Sequence, residues 1–422
     1  MKLIITLALC AGLLITTAAP VAADNVMNTD DPKVTLGVEQ LLGKKRYLDM
    51  VRGKRVGLIT NPTGVDSKWT STVDLLFASK DFKLVALYGP EHGVRGNAYA
   101  GEHVTTETDT RTGLPVYSLY GKTRRPPAEY LDGIDVMLYD IQDIGSRSYT
   151  YIYTMAYAME ECGKRKIPFI VLDRPNPAGG HIVDGNILDP KAYSTFVGLY
   201  AIPYQYGMTP GETAAMFNEQ FNANTCDLSI VPMRGYKRDM MQWDTGLPFV
   251  PTSNHIPHPV HATYYNLTGI IGELPDISIG VGYTLPFETI AAPWISDPES
   301  FAAEIRTHNL PGILVRPITY KPRYAAFKDE TCNGVHLTIT NFDTVRAFSA
   351  QIHLMEVIQK LYPSRGLFTD AKAKTSLFDE VLGTDTIRQR ILRGEKAVDI
   401  LKDAEPDVKT FMKLRKKYLI YK

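Results

Sequence analysis

The feature that most constrains the fold is an alternation of short apolar runs and helical segments across the first half of the chain. Runs such as RVGLIT, FKLVALYG, GIDVMLYDIQD and IPFIVLD are rich in β-forming residues, and each is followed by a turn signal. Between them, STVDLLFASK and SYTYIYTMAYAMEECGKRK have helical spacing, and the second ends in cations as the helix dipole prefers. Apolar strands that alternate with helices predict an α/β fold with a parallel sheet covered on both faces.

The second half of the chain is less regular. PGILVRPITY and GVHLTITN are typical of strands, TVRAFSAQIHLMEVIQKLY of an amphipathic helix, and the proline-rich GLPFVPTSNHIPHPVHATYYN of a loop. We therefore predict a first domain that contains the parallel sheet over residues 34–233 and a second, smaller α+β domain over residues 234–422.

Composition excludes several classes of protein. The 46 basic and 46 acidic residues balance, so there is no electrostatic reason to expect a nucleic-acid partner. The glycine motifs of dinucleotide-binding and P-loop proteins and the G-x-S-x-G elbow of serine hydrolases do not occur. Cys162, Cys226 and Cys332 are widely spaced, which indicates neither a disulfide scaffold nor a zinc motif.

The N-terminus is typical of a cleavable signal peptide over residues 1–23. Lys2 supplies a positive start, an apolar run follows, and Val21 and Ala23 occupy the positions that a signal peptidase reads before Asp24. The apolar run is short for a membrane span. We expect an exported protein, periplasmic or extracellular, with no stable membrane anchor.

Polar side chains follow four of the predicted strands at the point where each strand ends. These side chains are Asn61, then Glu91 and His92, then Asp140, Gln142 and Asp143, then Asp173, Arg174 and Asn176. In an open parallel sheet, ligands bind beyond the carboxyl ends of the strands, so these groups are predicted to share one site. Independent turns, caps and salt bridges are the alternative for each of them.

Glu91 is the strongest candidate for acid catalysis. Desolvated in a cleft it can hold a proton, whereas beside Arg95 it would stay ionised, and a surface ion pair with Arg95 is the structural alternative. Arg147 can clamp a carboxylate, and Ser146 or Ser148 can cap a helix.

A cluster of histidines raises the question of a metal. His255, His258 and His261 recur at three-residue spacing, but the prolines between them oppose a helix that would align them, and no carboxylate is close in sequence. We therefore expect no metal site and no cofactor.

Long motifs give the chain a recognisable family resemblance. They are RVGLITNPTGVD, YGPEHGVRG, AGEHV, TGLPVYSLYG, LYDIQDIGSRSYTYIYTM, VLDRPNPAGG, VDGNIL, YGMTPGE and PFETIAAPW. Together they resemble the exo-β-N-acetylmuramidase family typified by NamZ, from about Val34 to the C-terminus. The resemblance implies a Rossmann-like domain, a smaller partner domain and a cleft between them that releases N-acetylmuramic acid from the non-reducing ends of peptidoglycan fragments.

The resemblance also implies roles for individual residues. Glu91 matches the Pro-Glu-His-Gly motif and is expected to be the catalytic acid or acid/base. For the second group, Asp140, Asp143 and Asp173 are candidates, with Tyr99 or Tyr283 as a nucleophile in an alternative mechanism. Arg95 or Arg147 would bind the lactyl carboxylate of muramic acid. The remaining expected substrate contacts are Asn61, His92, Gln142, Asp173, Asn176 and Tyr283.

One region departs from the family pattern. The segment Gly280–Glu288 reads GVGYTLPFE where the family carries a Gly-Arg-Gly-Thr run, and PTSNHIPHPVH before it is also atypical. The exact sugar and the tolerance for attached peptide are therefore left open. Two other functions also stay open: a non-catalytic protein that binds wall glycan or peptide, and a metal-dependent amidase or deacetylase that uses the histidines.

Overall fold

The apolar runs of the first half pair into one sheet. The computed structural model describes residues 32–96, 107–369 and 375–422. Its strands are β1 (Arg55–Thr60), β2 (Lys83–Gly89), β3 (Glu107–Thr108), β4 (Pro115–Ser118), β5 (Val136–Asp140), β6 (Phe169–Leu172), β7 (Asp184–Ile187), β8 (Pro203–Gln205), β9 (Leu228–Val231), β10 (Thr289–Ala292), β11 (Ile313–Tyr320) and β12 (Cys332–Ile339). Its helices are α1 (Gly37–Gly43), α2 (Lys45–Leu48), α3 (Thr72–Phe77), α4 (Tyr151–Arg165), α5 (Pro210–Gln220), α6 (His261–Thr268), α7 (Pro298–Thr307), α8 (Ala347–Leu361), α9 (Thr375–Leu382), α10 (Thr386–Leu392) and α11 (Ala397–Arg415). Short 3₁₀ turns occupy Ala128–Tyr130, Gln242–Asp244, Ile271–Glu273, Pro363–Arg365 and Lys416–Tyr418.

The main sheet has seven strands in the order β3-β4-β2-β1-β5-β6-β9. Every neighbouring pair is parallel except the edge pair β3 and β4. The chain builds outward from β1 in one direction and then in the other, which is the doubly wound, Rossmann-like arrangement, with its switch point between β1 and β5. The predicted α/β fold with a Rossmann-like parallel sheet is confirmed.

Both faces of this sheet are covered because its strands are apolar on both sides. Val56 and Leu58 of β1 belong to a core on one face, to which α1 and α3 also contribute. Ile59 of β1 and Met137 of β5 belong to the opposite core, where α4 packs through Met155 and neighbouring residues. A strand buried on both faces shows a continuous apolar run, and that property made β1 and β5 predictable.

The second half contains the smaller α+β part that the sequence predicts. Its antiparallel sheet has the order β10-β12-β11 and shares a core with α6, α7 and α8. The segment predicted as a loop is helical at its end, because α6 begins at His261, just beyond the last proline, Pro259. The hairpin of β7 and β8 was not predicted, since strands of four and three residues carry too little pattern.

Residues Pro32–Lys422 form one compact unit, and the C-terminus returns to the first sheet. The hydroxyl of Tyr421 donates a hydrogen bond of 2.6 Å to Asp173, directly after β6. The boundary placed at residue 234 stays a prediction. The signal peptide expected at residues 1–23 and the candidate nucleophile Tyr99 lie outside the described residues. Within the described ranges, no helix combines the length and apolarity that crossing a bilayer requires.

Candidate active site

A pocket of about 270 Å³ opens beside the end of β2. It collects residues from the β2 and β4 ends, from the start of α4 and from segments of the second half of the chain. Its lining residues are Glu91, His92, Tyr120, Arg124, Ser148, Tyr149, Thr150, Tyr151, Phe196, Val197, Ser253, His255, Tyr265 and Phe287. Of these described lining residues, Glu91 is the only one that carries a carboxylate.

A strained turn presents Glu91 to this pocket. After β2 the chain reverses through His92. The φ angle of His92 is 71°, which lies in the left-handed region that non-glycine residues rarely adopt. Gly96, at φ +79°, packs against Pro62, where an added Cβ would lie 2.8 Å from the proline Cγ. Backbone strain of this kind persists where the surrounding structure imposes it, and it is frequent at functional sites. The turn therefore fixes the place of Glu91 and His92 in the pocket wall.

Three tyrosines of the pocket wall interact with the Glu91 carboxylate. Burial raises the pKa of Tyr120, and the charge of Glu91 and a hydrogen bond with it add to the rise. Burial also raises the pKa values of Tyr149 and Tyr151, with a further contribution from the charge of Glu91. These phenols consequently stay protonated near neutral pH and act as hydrogen-bond donors rather than as nucleophiles.

An aromatic wall joins the start of α4 to the second half of the chain. The ring of Tyr149 lies edge-on to Tyr151 at 5.0 Å and to Tyr265 at 5.7 Å, and Tyr265 meets Phe287 at 5.1 Å. Thr252 accepts hydrogen bonds from two of these tyrosines, at its hydroxyl from Tyr149 and at its carbonyl from Tyr151. Phe287 also has a left-handed backbone, with φ 66°. The wall is thus a fixed apolar surface with polar edges, which suits the face of a sugar ring.

Two histidines, His92 and His255, line the pocket. Burial lowers the pKa of His255, and the charge of nearby His92 lowers it further. The ring of His255 also stacks on Tyr324, with 5.9 Å between ring centroids. Because its pKa is depressed, His255 is neutral near pH 7 and can accept a proton.

Arg124 supplies positive charge at the rim of the pocket. Its guanidinium carbon lies 4.3 Å from the centre of the Phe196 ring, and its side chain is exposed. It also lines a neighbouring open groove with Lys122, Arg125 and Tyr157. The flat, exposed guanidinium can therefore reach an anionic group of a bound ligand.

The carboxylate of Asp140 does not line the pocket, because it forms a buried ion pair. Arg174 donates to Asp140 Oδ1 at 2.5 Å and to Oδ2 at 2.9 Å, and the Thr72 hydroxyl donates to Oδ2 at 2.5 Å. Both Asp140 and Arg174 are almost completely buried. This pair fills the region beyond β1 and β5, where an open sheet of this topology commonly binds a ligand.

Asn61, Gln142 and Asp143 lie behind the pocket in a buried network. The Asn61 side chain accepts from the backbone N–H of Thr63 at 3.0 Å, and that of Gln142 donates to two carbonyl oxygens. Asp143 Oδ2 accepts from the hydroxyl of Tyr206 and from the N–H of Gly145. Burial raises the pKa of Asp143 to about 7, although these hydrogen bonds oppose the rise.

Asp173 and Asn176 are also held by structural contacts. Asp173 accepts from the Thr209 hydroxyl at 2.8 Å and from the Gly211 N–H at 2.7 Å, which ties it to the start of α5. Burial raises its pKa to about 7. Asn176 accepts from the N–H of Ala178 at 3.0 Å, which is the Asx turn that its sequence context allowed.

Neither arginine suggested for the lactyl carboxylate faces the pocket. Arg95 donates two hydrogen bonds to Asp109, at 2.9 and 3.0 Å, and a third to Asp74. Arg147 is completely buried and donates to four backbone carbonyls, those of Asn186, Ile202, Val381 and Leu382. Tyr283 stacks on Tyr320 at 4.5 Å and does not line the pocket either.

The three histidines at 255, 258 and 261 do not form one cluster, because only His258 and His261 stay together, with 5.8 Å between their ring centroids. His255 lines the pocket, whereas His261 is buried at the start of α6 with its Nε2 atom 3.2 Å from Glu288. The sequence interpretation overlooked Tyr120, Arg124, Phe196 and the pocket role of His255. The available signal was the unusual number of tyrosines, 24 in all, and the aromatic SYTYIYTMAY at the start of α4, which was interpreted only as a helix.

Comparisons with known proteins match the chain over most of its length. The family model described as "Exo-beta-N-acetylmuramidase NamZ, N-terminal" matches residues 56–260, and "Exo-beta-N-acetylmuramidase NamZ, C-terminal" matches residues 263–421. The peptidoglycan beta-N-acetylmuramidase NamZ of Bacillus subtilis (strain 168) is 44% identical over 406 residues, which is 96% of each chain. Two crystal structures of DUF1343 family proteins from Bacteroides fragilis NCTC 9343 are also similar. One is 45% identical with a TM-score of 0.86 and covers 93% of this chain and 100% of its own. The other is 30% identical with a TM-score of 0.75 and covers 92% and 99%.

Proposed function

This chain belongs to the exo-β-N-acetylmuramidase NamZ family, and we propose that it removes N-acetylmuramic acid from the non-reducing ends of peptidoglycan fragments. The observation that carries the proposal is the position of Glu91 in a pocket built from both family-matched segments. Glu91 and Tyr149 come from the first segment, and Tyr265 and Phe287 come from the second. A sugar bound there would meet a carboxyl group, tyrosine hydroxyls and an aromatic wall at once.

Glu91 acts as the proton donor to the leaving oxygen. Hydrolysis of a glycoside needs an acid beside the scissile bond, because the departing alkoxide is otherwise too poor a leaving group. The Tyr120 hydroxyl, which interacts with Glu91, holds that carboxyl group in position. Asp140, Asp143 and Asp173 serve the fold, since each carboxylate is buried and held by partners outside the pocket lining.

His255 receives the proton of the attacking water. Its lowered pKa keeps the imidazole neutral near pH 7, which is the form that accepts a proton. In the His255→Gln variant, which cannot titrate, the acidic limb of the pH profile of kcat/KM is expected to disappear. A profile with the same acidic limb in the variant would assign that limb to another group.

Arg124 binds the lactyl carboxylate that distinguishes muramic acid from glucosamine. It is exposed at the rim of the pocket, whereas the guanidinium groups of Arg95 and Arg147 are committed to Asp109 and to backbone carbonyls. A guanidinium and a carboxylate match in geometry as well as in charge.

The enzyme works outside the cytoplasm. The support is the sequence pattern of residues 1–23, with its positive start, apolar run and small residues before Asp24. Peptidoglycan lies in the same compartment. Fractionation of cells, followed by N-terminal sequencing of the protein, is expected to find a chain that begins at Asp24.

The decisive experiment uses two disaccharides with opposite sugar order. Incubation with N-acetylmuramyl-N-acetylglucosamine is expected to release both free sugars by mass spectrometry, while N-acetylglucosaminyl-N-acetylmuramic acid stays intact. Saturable binding without any product would favour the non-catalytic wall-binding protein. Release of acetate or of peptide, in place of glycoside cleavage, would favour the amidase or deacetylase. In that case a chelator should abolish the release and a divalent ion should restore it.

A further inference from the structure

A second cluster of reactive side chains lies in the smaller α+β part, away from the residues that line the pocket. His308 follows the last residue of α7, and His353 and Glu356 lie on α8. The Nδ1 atoms of the two histidines are 2.9 Å apart, and a ligand atom from each of the three residues lies within 4.8 Å of the others. Both imidazoles are half-buried, so the cluster is fixed by packing and still reachable from solvent.

The three residues form a set of ligands suited to a transition metal. His353 and Glu356 are three positions apart on one helix, so they lie on the same face, and His308 reaches them from the neighbouring helix. Two imidazole nitrogens and one carboxylate oxygen are ligands that Zn²⁺ and related ions accept, with water completing the coordination.

The direct contact between the two imidazole rings also suits a shared ion. In the structure one Nδ1–H donates to the other Nδ1. A divalent ion would take the place of that proton, which the donating ring would carry on its Nε2 atom instead, and would accept a lone pair from each Nδ1 atom.

The carboxylate of Glu356 is already oriented by a second layer of contacts. Its Oε2 accepts from the N–H of Ala397 at 2.8 Å, at the start of α11, and its Oε1 accepts from Lys396 at 3.1 Å. Each carboxylate oxygen has a second lone pair for a metal. Such outer contacts hold a ligand in position and are typical of metal sites.

The other histidine cluster of the same region has a different geometry. Glu288 lies between His261 and His336. Its Oε1 atom is 3.2 Å from the Nε2 atom of His261, and its Oε2 atom is 3.2 Å from the Nε2 atom of His336. The two imidazoles therefore contact opposite oxygens of one bridging carboxylate. Within the described ranges, only His308, His353 and Glu356 bring three ligand atoms of this kind together.

We propose that His308, His353 and Glu356 form a binding site for a divalent transition-metal ion of the Zn²⁺ class. The ion would link the end of α7 to α8 and, through Glu356, to the start of α11. None of the three residues lines the active pocket, so the role is structural rather than catalytic.

The test measures Zn²⁺ bound to the mature chain, prepared without a polyhistidine tag and stripped with chelator. We expect isothermal titration with ZnCl₂ to give one ion per chain for the wild type. His308→Gln and His353→Gln should abolish that binding, and Glu356→Gln should weaken it. His258→Gln is the matched control, because it removes a histidine that neighbours the other cluster, with its ring centroid 5.8 Å from that of His261, and it should retain one ion.

Thermal unfolding separates loss of the site from loss of the fold. In chelator, each variant should show a cooperative transition, and added Zn²⁺ should raise the Tm of the wild type and of His258→Gln but not of His308→Gln. Glu91→Gln should bind Zn²⁺ like the wild type, which keeps this test independent of the hydrolytic activity. A wild-type chain that binds no Zn²⁺, or histidine variants that keep the same stoichiometry, would overturn the proposal.

Discussion

Two strand ends of the same sheet carry an acid in the same sequence context, and the fold uses them differently. Glu91 follows β2 and lines the pocket, whereas Asp140, the last residue of β5, is buried in an ion pair with Arg174. Both acids come at the end of an apolar strand, and both were predicted to act in catalysis. The difference lies in which side chains the segments after the neighbouring strands place next to each acid.

Asp140 lies at the middle of the sheet, between β1 and β6. The chain beyond β6 provides Arg174, and the chain beyond β1 provides Thr72, so partners reach the carboxylate from both sides. Glu91 instead lies within the turn after β2, next to the left-handed His92, and this turn places the Glu91 side chain in the pocket with the tyrosines. An acid after a buried strand is therefore a candidate site residue, and the side chains that follow the two flanking strands decide whether it becomes one.

The largest effect that distinguishes the two strand ends is expected from Glu91→Gln. Glutamine keeps the size of the side chain but cannot donate the proton, so kcat/KM should fall by about 10²- to 10⁴-fold. The measurement is release of nitrophenol from 4-nitrophenyl N-acetyl-β-muramide, with Tm recorded alongside. An unchanged rate at an unchanged Tm would remove Glu91 from the mechanism.

Asp140→Asn should have the opposite profile, a loss of stability with little loss of activity per folded molecule. The substitution leaves Arg174 buried without its counter-charge, which typically costs about 3–5 kcal/mol of unfolding free energy. Urea unfolding measures this cost, and the nitrophenyl muramide assay at low temperature measures activity.

A double variant sharpens the result for the ion pair. Asp140→Leu with Arg174→Met removes both charges and should recover part of the lost stability, because an apolar pair needs no counter-charge. If Asp140→Asn abolished turnover at full stability, the acid would have to act in the reaction.

The sequence predicted the sheet better than it predicted the site, for a physical reason. β1 and β5 are buried on both faces, so their apolar runs are visible in the chain itself. The role of an acid instead depends on contacts across the sequence, such as Arg174 with Asp140 at a separation of 34 residues and Tyr421 with Asp173 at a separation of 248. Arg124 was overlooked because an arginine in a loop gives no sign of the cavity beside it.

Asp143 tests whether a buried acid behind the pocket is held neutral. Burial raises its folded pKa to about 7, above an ordinary value of 3.8, so its contribution to stability is complete in acid and is lost as pH rises through 7. Between pH 4 and pH 8 the unfolding free energy should therefore fall by up to about 4 kcal/mol more in the wild type than in Asp143→Asn. Chemical unfolding at a series of pH values measures the difference. Parallel curves for the two proteins would mean that folding does not raise the pKa of Asp143.

Arg124 gives the smallest expected effect and the most specific one. The wild type should prefer 4-nitrophenyl N-acetyl-β-muramide to the corresponding glucosaminide, which lacks the lactyl group. Arg124→Gln should lower kcat/KM for the muramide by about tenfold, since an exposed hydrogen bond to a charged group contributes about 1.5 kcal/mol. The rate of glucosaminide hydrolysis should not change, because that substrate has no carboxylate for Arg124 to bind.

Arg95→Gln is the matched control. The Arg95 guanidinium is held by Asp109 and Asp74, so the ratio of kcat/KM for the two substrates should stay at the wild-type value even if both rates shift. Equal losses on both substrates in Arg124→Gln would place its role in the architecture of the pocket rather than in the recognition of muramic acid.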